Sequence, residues 1–446
     1  MPLTFAFDLS QQQFELRCDN RTRRLSNPDL LQLIDQCEHR YYSGRPRDWR
    51  GNEQDTPENL IDLGRSLYRW LDGDEGWLRA ALATGQPQAI AFDLNYSLEV
   101  QGLNAETKQI ALGLAHLPWE LLHDGTSFLL QTQAMTIPPM RIVQQRSAAP
   151  LPSGQSDVAN RPLHLLLMAT SPEGIQPVLS YEQEEANIVE ATKDQPLLLV
   201  VEESGSVAEL GNLIRFYPEG YFDIFHLTGH GLIFTEEACG WLTNRIQPPP
   251  QIADNTPCML TEDDVGNVQL TTVPDLAQAF GDRFPRIIFL SGCHTGEVPD
   301  RGSVPSMAQA LVQAGAQMVL GWARPVYDRT AIVAAQAIYR ELAAASSVER
   351  AVQVAVQQMI QQKCPDWHLL RVYRDSRSLT SLVTPLNTAR RERLRRILPE
   401  PDFLDAQGQV KVASASEFIG RRRPLQRCLA VMKPSSDRIG VFIQGM

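Results

Sequence analysis

From residue 163 onward the chain alternates short apolar runs with amphipathic stretches, and this alternation restricts the fold more than any other feature. Strands are expected at 163–169, 197–201, 222–227, 286–290 and 318–321. The first is an apolar run, which suits a strand covered on both faces of a parallel sheet. Between them, 180–192, 206–216, 306–314, 331–345 and 347–362 read as helices. Ser180 would be the N-cap of the first, with Glu182 to Glu185 in its opening turn. One more strand is expected within 366–373. Strands and helices alternating at this length give an α/β fold, a mostly parallel sheet with right-handed crossovers and flanking helices.

Residues 1–146 have a different texture. Helical periodicity at 28–40 and 57–71 is mixed with strand-like runs at 89–100 and 128–142, so an N-terminal α+β region is expected. Leu117-Pro118-Trp119-Glu120-Leu121-Leu122, followed by His123-Asp124-Gly125, ends a helix on a turn. Residues 147–162, rich in Ala, Pro, Ser and Gly, read as a linker to the α/β part at 163–385. Between the third and fourth strands lies a long interruption containing Pro248-Pro249-Pro250, expected as a surface excursion beside the site. After the α/β part, 386–416 reads as a basic helical linker stopped by Pro399 and Pro401.

Composition narrows the function. The 446 residues suffice for two or three domains with buried cores. A net charge of -11 argues against nucleic acid as a partner, which calls for a basic excess. Cys18, Cys37, Cys239, Cys258, Cys293, Cys364 and Cys428 are scattered, without a C-x-x-C pair, so neither a disulfide framework nor a zinc site is expected. Reduced thiols suit the cytoplasm. The first ten residues lack a basic segment and Asp8 interrupts their apolar run, so no signal peptide is read. No run approaches about 18 apolar residues, so no membrane span is expected.

Two of the expected strands end in chemistry. One runs into Thr228-Gly229-His230-Gly231, the other into Ser291-Gly292-Cys293-His294-Thr295-Gly296. Open parallel sheets gather active groups beyond the carboxyl ends of their strands, so adjacent strands would bring His230 and Cys293 together. Glycines on either side are expected to let the chain turn sharply. A thiolate that attacks a carbonyl needs an imidazole to move protons and N–H groups facing the oxyanion. Cys293 is therefore expected as nucleophile, His230 as general acid/base, and the N–H groups of Gly231 and Cys293 as oxyanion donors. Asp223 and His226 precede the His230 segment and are candidates to orient it. His294 is a weaker competitor for the base, since neighbours on a strand face opposite ways. A metal site joining Cys239 and Cys258 to His226 and His230 has no familiar spacing, and no metal or cofactor is expected.

The T-G-H-G after a D-I-F-H strand, and the L-S-G-C-H-T-G after a second strand, resemble the CHAT family, itself similar to caspases and separases. Trp119-Glu120 looks like that family's proximal W-E motif, and 306–328 resembles its helix, Ala-Gly-Ala turn and strand. The likeness spans roughly residues 85–376, with Gly292 where the family often has Ala. The resemblance implies a caspase-like fold and a cysteine endopeptidase acting on a protein substrate. It also implies an acidic residue that holds Arg or Lys before the scissile bond. Asp328 stands where that pocket wall would be, with Glu297 and Asp300 as weaker candidates; its alternative role is to cap the helix beginning near residue 330. Family members serve as regulated effectors in bacterial defence and cell death, and activation can involve oligomers.

At the far end, Glu417-Phe418-Ile419-Gly420-Arg421-Arg422, a helix at 425–432 and Val441-Phe442-Ile443 look like the start of a STAND or AAA-type NTPase. The G-x-x-x-x-G-K-[ST] phosphate loop is absent, so nucleotide hydrolysis is not expected of these residues. A sensor or NTPase region is the partner this implies. Competing readings are a scaffold that uses the caspase-like fold without an aligned dyad, and a nucleotide-binding regulatory fragment.

Overall fold

The computed structural model describes residues 2–42, 57–96, 103–132, 134–145, 158–175, 179, 181–195, 197–236, 251–254, 256–263, 266–281, 283–292, 307–324, 326–377, 380–393, 422–432, 438 and 440–442. The strands are β1 Leu3–Ser10, β2 Gln13–Cys18, β3 Arg21–Arg24, β4 Ile90–Asn95, β5 Met140–Val143, β6 Leu163–Ala169 and β7 Leu197–Glu202. They continue with β8 Ile224–Phe234, β9 Thr256–Glu262, β10 Val268–Thr271, β11 Ile287–Gly292, β12 Met318–Trp322 and β13 Leu370–Arg374. One sheet takes them in the order β7-β6-β8-β11-β12-β13-β5-β4-β1-β2-β3, with β9 and β10 added along the second half of β8.

From β7 to β12 every pairing is parallel. All seven residues of β6 are buried, as a strand covered on both faces must be. The chain moves from β6 outward to β7, then back across β6 to β8. Right-handed crossovers in opposite directions put the two connecting helices, Tyr181–Ala191 and Val207–Phe216, on opposite faces. Asp328–Ala343 packs with the first of them, and Val348–Gln361 packs on Asp328–Ala343. Val273–Phe280 and Met307–Ala314 continue the other layer. The α/β sandwich expected from the alternation is present. Among the described residues no helix is long and apolar enough to cross a membrane.

The sheet does not stop at the expected linker. β13 pairs in parallel with β5, and β5 with β4 and β4 with β1, so the N-terminal region extends the same sheet. Glu120 locks this junction. Its carboxylate receives Arg141 from β5 at 2.7 Å and forms an ion pair with Arg371 from β13, all three groups being buried. Arg141 also donates to the carbonyls of Ala115 and Leu117, at 2.8 Å each. Trp119 beside it stacks on Phe92 of β4, with centroids 4.4 Å apart. The W-E motif thus joins the two halves of the molecule through one charge cluster and one aromatic stack.

Three expectations need correction. The hairpins β1–β2–β3 were not foreseen, although Leu3, Phe5, Phe7 and Leu9, then Phe14, Leu16 and Cys18, alternate with period two. β1 and β2 are joined by Gln11-Gln12, with φ of 49° and 69°, in place of the usual glycine or asparagine, and β2 and β3 by Asp19-Asn20. The interruption after β8 is more than a surface excursion, since it returns as the hairpin β9–β10 and the helix Val273–Phe280. Residues 388–393 form turns and coil, not a helix, because Asn160 takes up the Ala389 carbonyl at 3.1 Å and its own carbonyl accepts Glu392 N–H at 2.9 Å. Residues 394–416, the remainder of that expected linker, lie outside the described residues.

Candidate active site

β8 and β11 are parallel neighbours, paired Phe289↔His226, Ser291↔Thr228 and Gly292↔Gly229. The T-G-H-G segment is not a turn. β8 runs straight through it to Phe234, and its far half leaves the parallel sheet to pair antiparallel with β9, His230 opposite Leu260 and Gly231 opposite Met259. His230 is half-buried at this changeover. Gly229 is needed for space and not for a bend. A Cβ there would run into Thr170 Oγ1, which donates to Leu260 O at 2.7 Å and so ties the end of β6 to β9.

Cys293, the expected nucleophile, lies outside the described residues, as do His294, Glu297, Asp300 and Cys239. Asp328 is the first residue of the helix Asp328–Ala343, just beyond the carboxyl end of β12. Cys258 is buried on β9. Among the described residues, no three His, Cys, Asp or Glu side chains gather as a metal centre would require.

The two residues expected to orient His230 part company. Asp223 stands at the amino end of β8, far along the strand from His230. It accepts Arg161 at 2.6 Å and the backbone N–H of His164 at 2.9 Å. It fastens the back of the sheet and does not reach the site. His226 does face the right way. Strand alternation puts 226, 228 and 230 on one face, and His226 Nε2 lies 2.8 Å from Thr228 Oγ1.

That face carries a buried polar network that the sequence reading overlooked. Thr228 Oγ1 donates to Glu184 Oε2 at 2.8 Å, and Ser291 Oγ donates to Glu184 Oε1 at 3.2 Å. His226 Nε2 is 3.3 Å from Glu184 Oε1, and its Nδ1 is 2.6 Å from Tyr339 Oη. Donor directions follow from this connectivity. With its own proton spent on Glu184, the Thr228 hydroxyl accepts from His226 Nε2–H. The Tyr339 hydroxyl meets the ring's other nitrogen, Nδ1. Burial, then the Glu184 charge, pushes the Tyr339 hydroxyl well above its ordinary value, so it keeps its proton. Burial pushes the Glu184 carboxyl up as well. The adjoining His226, and hydrogen bonds from His226, Thr228 and Ser291, outweigh that and hold it below its ordinary value.

A signal for Glu184 was present. In the helix Tyr181–Ala191 the buried positions include Tyr181, Glu184 and Ile188, the i, i+3, i+7 stripe that apolar residues normally fill. An acid on that stripe is buried, and must meet donors there. Other carboxylates near this edge close loops. Glu202 accepts Gly205 N–H at 2.7 Å, and Glu262 accepts Ser171 N–H at 2.9 Å. From the helix Arg422–Met432, Gln426 donates to Ser171 O at 2.8 Å and accepts from Tyr181 Oη at 3.1 Å.

A family model for the CHAT domain matches residues 103–404. No curated protein sequence matches the chain. Among solved structures, the Arg specific cysteine proteinase gingipain R (RgpB) aligns over 79% of this chain and 75% of its own, at 8% identity and a TM-score of 0.41. The separase–securin complex of Saccharomyces cerevisiae aligns over 83% of this chain but only 30% of the matched chain, at 10% identity and a TM-score of 0.36. Such remote likenesses assign no residue here. The family model, in contrast, takes in well over half of the sequence and both strand ends of the site, and the chain belongs to the CHAT domain family.

Proposed function

We propose that this chain is a cysteine endopeptidase with Cys293 as nucleophile and His230 as its proton carrier. The reading is carried by the register of β8 and β11, in which Gly229 and Gly292, each one residue before a dyad member, are directly paired. His230 accepts the thiol proton, and the thiolate attacks the scissile carbonyl carbon to form a C–S bond. The N–H groups of Gly231 and Cys293 hold the oxyanion. Collapse breaks the C–N bond, and the proton passes from His230 to the leaving amine. Water then hydrolyses the thioester with His230 as base, which restores the thiol. Burial raises Cys37 to about 12 and Cys18 to about 11, so these thiols make poor rivals for a reactive cysteine.

Asp328 is the residue proposed to select Arg or Lys before the scissile bond, by charge-assisted hydrogen bonds. The contact of Gln426 with Ser171 supports control by the region that follows the peptidase half, since it sets the helix Arg422–Met432 beside the carboxyl edge of β6. A regulated effector, of the kind the family supplies to defence systems, fits that arrangement.

Peptide reporters with Arg or Lys before the cleaved bond test the proposal. Cys293→Ala should lower turnover by a factor on the order of 10³ or more, and equal turnover would remove the dyad. Asp328→Ala should remove the basic preference with the fold retained. Failure of a thiol-directed covalent inhibitor to label Cys293 ahead of Cys428 would favour a non-catalytic scaffold.

A further inference from the structure

Glu184 is the point at which the two strands leading to the proposed dyad meet. Its oxygens are divided between them, Oε2 to Thr228 on β8 and Oε1 to Ser291 on β11. Thr228 lies two residues before His230 and Ser291 two residues before Cys293, and the two are register partners. Residues two apart on a strand share a face. On β8 the carboxylate therefore sits under the last position before His230 that shares its face, and it is bonded across to that position's register partner on β11.

Resting on the dyad reading above, we propose that Glu184 is a positioning residue that sets the separation of His230 and Cys293 by bridging Thr228 and Ser291. Parallel strands held by ladder hydrogen bonds alone can slide and splay where they end. At this edge β8 passes from its parallel neighbour β6 to the antiparallel β9. A buried carboxylate with one oxygen on β8 and one on β11 adds a side-chain restraint at that changeover. The helix Tyr181–Ala191 carries the carboxylate and packs on Asp328–Ala343. Asp328–Ala343 in turn supplies Tyr339, the far end of the His226 chain. Two helices of this layer thus meet in the clamp. Glu184, His226 and Tyr339 are all buried, so water offers no substitute partner.

The consequence for rate follows from the tolerance of near-attack geometry, where a displacement of about 1 Å costs on the order of 100-fold. The full chain should be assayed with the peptide reporter, and in parallel by iodoacetamide trapping at Cys293 located by mass spectrometry. Glu184→Ala should lower kcat by about 30- to 100-fold and slow Cys293 alkylation, with KM within about twofold of the parent. Glu184→Gln keeps the reach and one acceptor and should recover all but a few-fold of the loss. Thr228→Val and Ser291→Ala should each cost a few-fold, and each should add less in the Glu184→Ala background than alone. A purely structural role predicts losses that track the unfolded fraction measured by thermal melting, with no recovery by Gln, and that pattern would overturn the proposal. So would a raised KM at constant kcat, or alkylation and kcat within twofold of the parent in Glu184→Ala. If Glu184→Ala does not fold, the two hydroxyl variants decide, and both within twofold of the parent overturns it. The dyad reading fails by a different result, Cys293→Ala turning over as fast as the parent.

Discussion

The molecule buries two carboxylates at strand junctions, Glu120 and Glu184, and surrounds them with opposite kinds of partner. Glu120 is met by two guanidinium groups, Arg141 and Arg371, from the strands that join the N-terminal region to the rest of the sheet. Glu184 is met by two hydroxyls and an imidazole, from the strands that lead to the dyad. Fixed charges compensate the first, and polar groups that can rearrange their protons satisfy the second. A junction that only has to hold suits permanent ions, because each partner punishes the loss of the other. A junction beneath reacting groups suits weaker, directional donors, because a pair of buried arginines there would draw the thiolate or the oxyanion away from its path.

The largest effect expected from this contrast is at Glu120. Glu120→Ala removes the carboxylate that two buried guanidinium groups share and should cost about 3–5 kcal/mol or more, read as a drop in the urea midpoint or as insoluble protein. The cluster as a whole is another matter. Replacing Glu120 with Leu, Arg141 with Met and Arg371 with Met removes every charge at once and should recover most of that loss. A triple variant as unstable as Glu120→Ala would mean that the carbonyls of Ala115 and Leu117, which Arg141 also serves, carry the junction instead.

Next in size is a change that leaves both carboxylates alone and moves the strands. Gly229→Ala forces a methyl into Thr170 Oγ1, an overpacking expected to cost about 1–3 kcal/mol. Because Gly229 is the partner of Gly292, kcat should fall further than stability does. Pairing it with Thr170→Ser, which removes a methyl but keeps the hydroxyl, should leave the clash in place. Pairing it with Thr170→Ala should relieve the clash and lose the hydrogen bond to Leu260. Equal rescue by both would show that crowding by the Thr170 methyl, not its oxygen, is what Gly229 avoids.

The two carboxylates also differ in how far the sequence disclosed them. Glu120 was picked out with Trp119 as a motif, but its partners were invisible, since Arg141 and Arg371 are distant in sequence and nothing local marks an arginine as buried. The β6-to-β12 half was readable because buried parallel strands are apolar throughout and helices punctuate them. β1 and β2 were readable in principle by period-two alternation, but the turn between them, Gln11-Gln12, lacks the glycine or asparagine that announces a hairpin. His226 was legible as a neighbour of His230 on one face. Asp223 failed on distance, since seven residues of strand span about 23 Å and carry it to the opposite edge of the sheet. Glu184 was seen only as an acid in a helix's first turn, where a favourable dipole explains it well enough. Its burial depends on which face of that helix meets the sheet, and three-dimensional packing decides that.

The smallest effect is one of pH, and it separates the carboxylates without moving a strand. The folded protein holds Glu184 below its ordinary 4.5. A carboxyl with a depressed folded pKa adds stability that is fully present above the unfolded value and is lost as pH falls through the folded one. Between pH 6 and pH 4.5 the parent and Glu184→Gln should therefore differ by a constant amount in urea stability. Below 4.5 the parent should lose ground, by at most about 1.4 kcal/mol per pH unit for a single proton. The amide cannot take up that proton, so the two curves should converge in acid. All other carboxyls titrate alike in both proteins and cancel in the difference. Parallel curves from pH 6 down to pH 3 would mean that folding leaves the Glu184 carboxyl at its unfolded value. A parent that instead loses stability relative to Glu184→Gln as pH rises above 4.5 would mean that the clamp on β8 and β11 is a neutral acid, and Glu184→Gln should then leave kcat unchanged as well.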